Sequence, residues 1–151
     1  MPHTQLQPPS GVIHDGAHYF PLRVYFEDTD LSGVVYHANY LRYCERARSD
    51  FMLLLGLDHR AAFETGQGYF AVAEARIKYL KPAKLDDALV VISQFTELRA
   101  VSWRVHQRVI RDGQEIAHVD ILAAFLDMRG RPTRQPAHWT ESYKTILKEA
   151  S

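Results

Sequence analysis

The chain has 151 residues, 46% apolar and 24% charged, which fits one globular domain with a sizeable core and excludes a disordered chain. Its 18 basic and 18 acidic residues balance, so no net charge draws it toward nucleic acid or acidic lipid, and no nucleic-acid partner is expected. Cys44 is the single cysteine, which excludes an intrachain disulfide and fits a reducing, cytoplasmic setting.

Residues 1–18 hold three prolines, two glycines and three histidines and read as a flexible N-terminal tail, with residues 19–151 as a single domain. The tail has no charged segment followed by an apolar run, so no secretory signal is expected. No stretch reaches the roughly 18 apolar residues of a membrane helix, so no membrane span is expected. His14 and His18 have a helical metal-binding spacing, but Gly16 lies between them and speaks against a helix.

Residues 21–27 are β-rich, and Pro21 suits a strand start. From Ala38, the residues Tyr40, Cys44, Ala47, Phe51 and Leu54 or Leu55 recur every three to four positions. This predicts a long, largely buried helix that stops at Gly56. Arg42, Glu45, Arg48 and Ser49 fall on or near its other side, where Glu45 can pair with an arginine at three residues' spacing. A short helical segment over residues 58–65 follows. The period then changes to two, and strands are predicted over Tyr69 to Lys81, Ala88 to Glu97, Val101 to Ile110 and Glu115 to Asp127. Asp112-Gly113 is a hairpin turn signal, so these four strands read as an antiparallel meander. Residues 137–149 predict a closing helix. The pattern is α+β: an antiparallel five-stranded sheet wrapped around a long central helix, with open sheet edges that favour pairing of two subunits.

The loop EDTDLSGVVYHANY, residues 27–40, carries the chemistry. Asp28, Asp30, Ser32 and Gly33 match the first positions of a calcium loop, but Asn39 stands where a bidentate carboxylate is needed and a strand precedes the loop, so no metal is expected. Asp30 can simply cap a turn. A catalytic reading has more parts. Gly33 permits a tight turn or a close approach of ligand. A helix starts near His37, and its free N–H groups can support a carbonyl oxygen as charge develops. A carboxylate seven residues upstream can attack that carbonyl or activate water. Hydrolysis of an ester or thioester needs no metal and no cofactor on this scheme.

RVYFEDTDLSGVVYHANYLRYCERAR, residues 23–48, resembles the signature of the hotdog-fold acyl-CoA thioesterases of the 4-hydroxybenzoyl-CoA thioesterase family. It is most similar to the YbgC-type enzymes associated with the bacterial Tol–Pal system. The DTD, the glycine three residues after its second aspartate, VYHANY and ERAR carry the likeness, which continues more loosely through KYLKPAKLDD (78–87) and on to Asp127. The resemblance implies a hotdog fold and Asp30 as the carboxylate. It implies that the His37 backbone N–H polarises the thioester carbonyl, and that Gly33 and Tyr36 lie in the substrate site. Asp28, Asn39 and Glu45 are expected to hold loop and helix, and Cys44 to be core. Many relatives carry Gly-Gly where this chain has Ser32-Gly33, a change expected to have little effect.

CoA carries phosphates, so cations are expected nearby: Lys78, Lys81, Lys84, Arg99, Arg104 and Arg108 are candidates, with Arg99 favoured because it matches a family arginine. The implied partner is an acyl-CoA, in a homo-oligomer (dimer or tetramer) with a site at the subunit interface. Two other readings keep the fold: a 3-hydroxyacyl thioester dehydratase using His37 with Asp30, and a non-catalytic acyl-CoA or protein-binding module.

Overall fold

The computed structural model describes residues 3–150, with burial defined for residues 4–147. The chain forms β1 (Val12–His14), β2 (Ala17–Arg23), α1 (Asn39–Leu54), α2 (His59–Glu64), β3 (Tyr69–Tyr79), β4 (Ala88–Leu98), β5 (Ser102–Arg111), β6 (Gln114–Leu126) and α3 (Ala137–Ala150), in that order. All strands join one antiparallel sheet in the order β1-β2-β4-β5-β6-β3.

Six strands thus replace the expected five. The additional strand is β1, which pairs Val12 with Tyr19 and His14 with Ala17 across a tight turn. Asp15 and Gly16 both have positive φ there, the geometry of an Asp-Gly hairpin. Residues 12–18, read from sequence as tail, therefore lie in the sheet, and His18 is fully buried. The expected meander is also corrected. β4, β5 and β6 follow one another, but β3 pairs with β6 along its whole length and becomes an edge.

α1 packs chiefly on β2 and β4. Tyr40, Tyr43, Cys44, Ala47, Phe51 and Met52 are buried, at the one-, three- and four-residue spacings that share one helix face. Phe51, wholly buried, contributes about 1.5–3 kcal/mol by burial alone. The helix ends at Gly56, whose φ of +80° favours glycine, and its N–H returns to Leu53 O. The sheet does not enclose the helix: Arg42, Glu45, Arg46, Ser49 and Leu53 remain exposed.

Arg48, expected on the polar side, is instead buried, and its Nη1 donates to Oε1 of Gln107. Glu45 makes no ion pair among the described residues. α3 closes the far end of the core with Trp139, Tyr143 and Ile146. Its rings meet Phe70, Phe95 and Phe125.

Candidate active site

The loop between β2 and α1 is held from three sides. Asp28 Oδ2 accepts the N–H of Tyr25, and Asp28 O accepts both the N–H of Tyr36 and Nδ2 of Asn39. Asn39, on the first turn of α1, is buried, so it ties the loop to the helix. Val35 N–H reaches Ala83 O on the segment before β4. Asp28 and Asn39 are thereby structural, as expected of them; Glu45, exposed and unpaired, does not share that role.

Asp30 sits at the loop's tip. Its own N–H donates to Val34 O, and its carbonyl accepts the N–H of Gly33, which closes a turn of four residues. Gly33 has φ of +84°, and a Cβ there would meet nothing within 4 Å, so glycine serves the turn and not a close approach.

Oδ1 of Asp30 accepts the N–H of Ser32 at 2.8 Å and the Ser32 hydroxyl as well. Among the described residues nothing bonds Oδ2. The Ser32 hydroxyl, then the Ser32 N–H, with smaller help from Val34 and the charge of His37, holds the Asp30 carboxyl below its ordinary value. The carboxylate is exposed and ionised, with one oxygen tethered and one free.

Nine residues on, at Asn39, α1 begins, two residues later than His37. Its N-cap, Ala38, supplies no side-chain cap. Tyr36 N–H is spent on Asp28 O and Asn39 N–H on Tyr36 O, while no hydrogen bond among the described residues uses the N–H of His37. The His37 carbonyl is fixed instead: the Tyr79 hydroxyl, from the end of β3, donates to it at 2.7 Å. The His37 ring rests on Tyr36 at 4.5 Å between centroids and lies edge-on to Tyr79 at 6.5 Å. A cleft of about 240 Å³ opens here, lined by Val35, His37, Tyr40, Tyr79, Lys81 and neighbouring residues. An ionised carboxylate beside an uncapped helix start can attack, or deprotonate water against, a carbonyl whose oxygen the helix supports.

Asp30, Gly33, Tyr36 and His37 thus share one hydrogen-bonded loop, with Tyr36 half exposed; His37 lines the cleft, and Asp30 and Gly33 do not. Arg99 does not join them within one chain. It lies just beyond β4, whereas Val34 of the loop bridges to Lys84, ahead of the first residue of β4, so about 33 Å of strand separates the two ends. Its guanidinium is paired with Glu97, and it lines a groove of about 420 Å³ with Arg134, Tyr143 and Lys144. Of the cations considered, Lys81 is the one beside His37.

Sequence reasoning missed Ser32 as a partner of Asp30 and Tyr79 as a partner of His37. The Asp-x-Ser spacing of a side chain that bonds two residues ahead was a usable signal for the first. Nothing local announces the second, because 42 residues separate Tyr79 from His37.

The family model described as Thioesterase-like superfamily matches residues 24–147. The acyl-CoA thioesterase YbgC of Haemophilus influenzae is 37% identical over 76% of this chain and 84% of its own. The acyl-CoA thioester hydrolase YbgC of Escherichia coli O6:H1 is 32% identical over 83% of this chain and 94% of its own. The crystal structure of a probable thioesterase from Bartonella henselae superposes with a TM-score of 0.75 at 31% identity, covering 80% of this chain and 99% of that one. The antiparallel sheet with its long helix is the hotdog thioesterase fold.

Proposed function

Because the chain belongs to the thioesterase-like superfamily, we propose that it is an acyl-CoA thioesterase, converting acyl-CoA and water to the free acid and CoA. The observation that carries the reading is that one tightly bonded loop carries both an Asp30 carboxylate with a free Oδ2 and the uncapped start of α1.

The thioester carbonyl docks with its oxygen at the His37 N–H. Two routes then share the geometry. In one, Asp30 attacks the carbonyl carbon, the C–S bond breaks, CoA leaves as thiolate, and water cleaves the mixed anhydride. In the other, Asp30 takes a proton from water as the hydroxide adds, and the tetrahedral intermediate expels the thiolate. In both, the α1 N-terminus stabilises the oxyanion, and the backbone N–H, not the imidazole, is the group required of His37. Heavy oxygen from labelled water appears in Asp30 after one turnover only by the first route.

Gly33 and Tyr36 shape the rim on this reading. Lys81 meets the phosphates of CoA, and Arg99 serves them only where the nucleotide reaches across a subunit boundary. β3 supports the assembly: it is a long edge strand with no partner on its outer side among the described residues, and a second copy pairing there gives a dimer, the minimum unit. A tetramer, a cytoplasmic setting and a place beside the Tol–Pal envelope machinery are proposed on the resemblance alone. No helix among the described residues is long and apolar enough to cross a membrane.

The test is release of free thiol from a panel of short, aromatic and long-chain acyl-CoAs by the purified protein. Thiol release is expected with at least one class. Binding without thiol release, or loss of water from 3-hydroxyacyl-CoA in its place, overturns the assignment.

A further inference from the structure

A second cleft lies along the same seam as the candidate site. The His37 cleft is bounded by the start of α1 and by Tyr79 at the end of β3. The other, of about 170 Å³, is bounded by Glu45, Arg48, Ser49 and Met52 of α1 and by Phe70 and Val72 near the start of β3.

Between them β3 is unusual. Phe70, Val72, Ala75, Ile77 and Tyr79 pair with Phe125, Ala123, Ile121, Val119 and Ala117, all buried, so they share the face turned toward the helix. Yet Val72 is 52% and Tyr79 45% exposed, and Ala75 is exposed as well. α1 leans toward β2 and β4 and leaves this strip uncovered. The result is an apolar trough running from His37 toward Arg48. Nine residues of helix separate Asn39 from Arg48, about 14 Å at the rise of an α-helix.

Arg48 is anomalous at the far end. It is 91% buried by its 9% exposure, and its one hydrogen bond among the described residues goes to the neutral amide of Gln107. No carboxylate stands within ion-pair distance; Glu45, the nearest on its helix, is exposed and unpaired. A guanidinium has five N–H donors, and a buried charge without a counter-ion is costly. Arg48 lines this cleft, together with His59.

We infer that this trough is the acyl site and that its Arg48 end receives a carboxylate, so that the preferred substrates are ω-carboxyacyl thioesters. The inference rests on the thioesterase reading. The apolar strip takes the methylene chain, and Arg48 pairs with the terminal carboxylate through charge-assisted hydrogen bonds.

The test compares adipoyl-, suberoyl- and sebacoyl-CoA with hexanoyl-, octanoyl- and decanoyl-CoA in the wild-type protein, Arg48→Gln and Arg48→Lys. In the wild type, kcat/KM favours the ω-carboxy member by about tenfold or more at one chain length, the ratio expected for one charge-assisted hydrogen bond. That ratio falls to near one in Arg48→Gln and recovers in part in Arg48→Lys. Equal rates within every pair, or a preference that persists in Arg48→Gln, overturns the inference while leaving hydrolysis itself established. No thiol release from any substrate overturns both. Should Arg48→Gln fail to fold, thermal melts of the wild type decide: free suberate raises the melting temperature and octanoate does not. Equal effects of the two acids count against the inference.

Discussion

The Ser32 hydroxyl donates to Oδ1 of Asp30, and the Ser32 N–H reaches the same oxygen at 2.8 Å. One residue therefore lowers the proton affinity of the carboxylate through its hydroxyl and its N–H, and both bonds fall on Oδ1, which leaves Oδ2 free. A glycine at this position retains the N–H and loses the hydroxyl. Ser32→Gly is expected to raise the Asp30 pKa, and because the ionised form acts, the acid limb of the kcat/KM profile moves to higher pH. Well above that limb the change stays below about tenfold, since general base strength alone varies gently with pKa. A pH–rate profile of both proteins checks this.

The Tyr79 hydroxyl fixes the His37 carbonyl from 42 residues away. Tyr79→Phe keeps the ring and removes the bond. Stability should fall by about 0.5–1.5 kcal/mol, the net worth of a neutral hydrogen bond. Turnover should fall more than substrate affinity, because on the proposed mechanism the His37 N–H supports the oxyanion and shifts when the His37 carbonyl is released. Denaturant melts and the separate kcat and KM values read the two effects.

His18 is fully buried, stacked on Phe51 at 4.9 Å, with Nε2 at 2.7 Å from Asp50 and Nδ1 without a partner among the described residues. Burial first, opposed by Asp50, holds its pKa below the usual 6.5. Protonation would add an N–H with nowhere to donate. The unfolded chain therefore binds more protons below about pH 6.5, and stability declines as pH falls from there toward the folded value. Asp50 acts in a separate, lower window: burial raises its pKa, but hydrogen bonds from Ser10, His18 and Gly11 outweigh that and keep it low. Thermal melts across this range should show the decline in the wild type and a flatter profile in His18→Gln.

Cys44 is wholly buried on α1, and burial pushes its thiol up to about 12. It is inert in the native state. A thiol-reactive disulfide reagent should label no cysteine in the folded protein and one per chain after denaturation. Fast native labelling contradicts the packing of α1.

Periodicity was enough to place α1, β3 to β6 and α3 within a few residues, because each buries one face with its own repeat. The pairing of β3 with β6 was not legible, since which strand a crossing segment joins is decided by packing and not by its own pattern. β1 was legible and overlooked: Asp15-Gly16 is the same turn signal as Asp112-Gly113, obscured by the prolines before it. In the site, Asp30 and the helix start near His37 stood out because both lie on one short loop. Arg48 was assigned to the solvated face because charge usually marks that face, whereas here Gln107 from β5 gives it a buried partner.

The central claim is that the Asp30 carboxylate performs the hydrolysis. Asn differs from Asp in charge and not in shape, so Asp30→Asn tests it most directly. On the best wild-type substrate, the account predicts a loss of about a hundredfold or more in kcat with an unchanged thermal melt. Turnover within about threefold of wild type would contradict it.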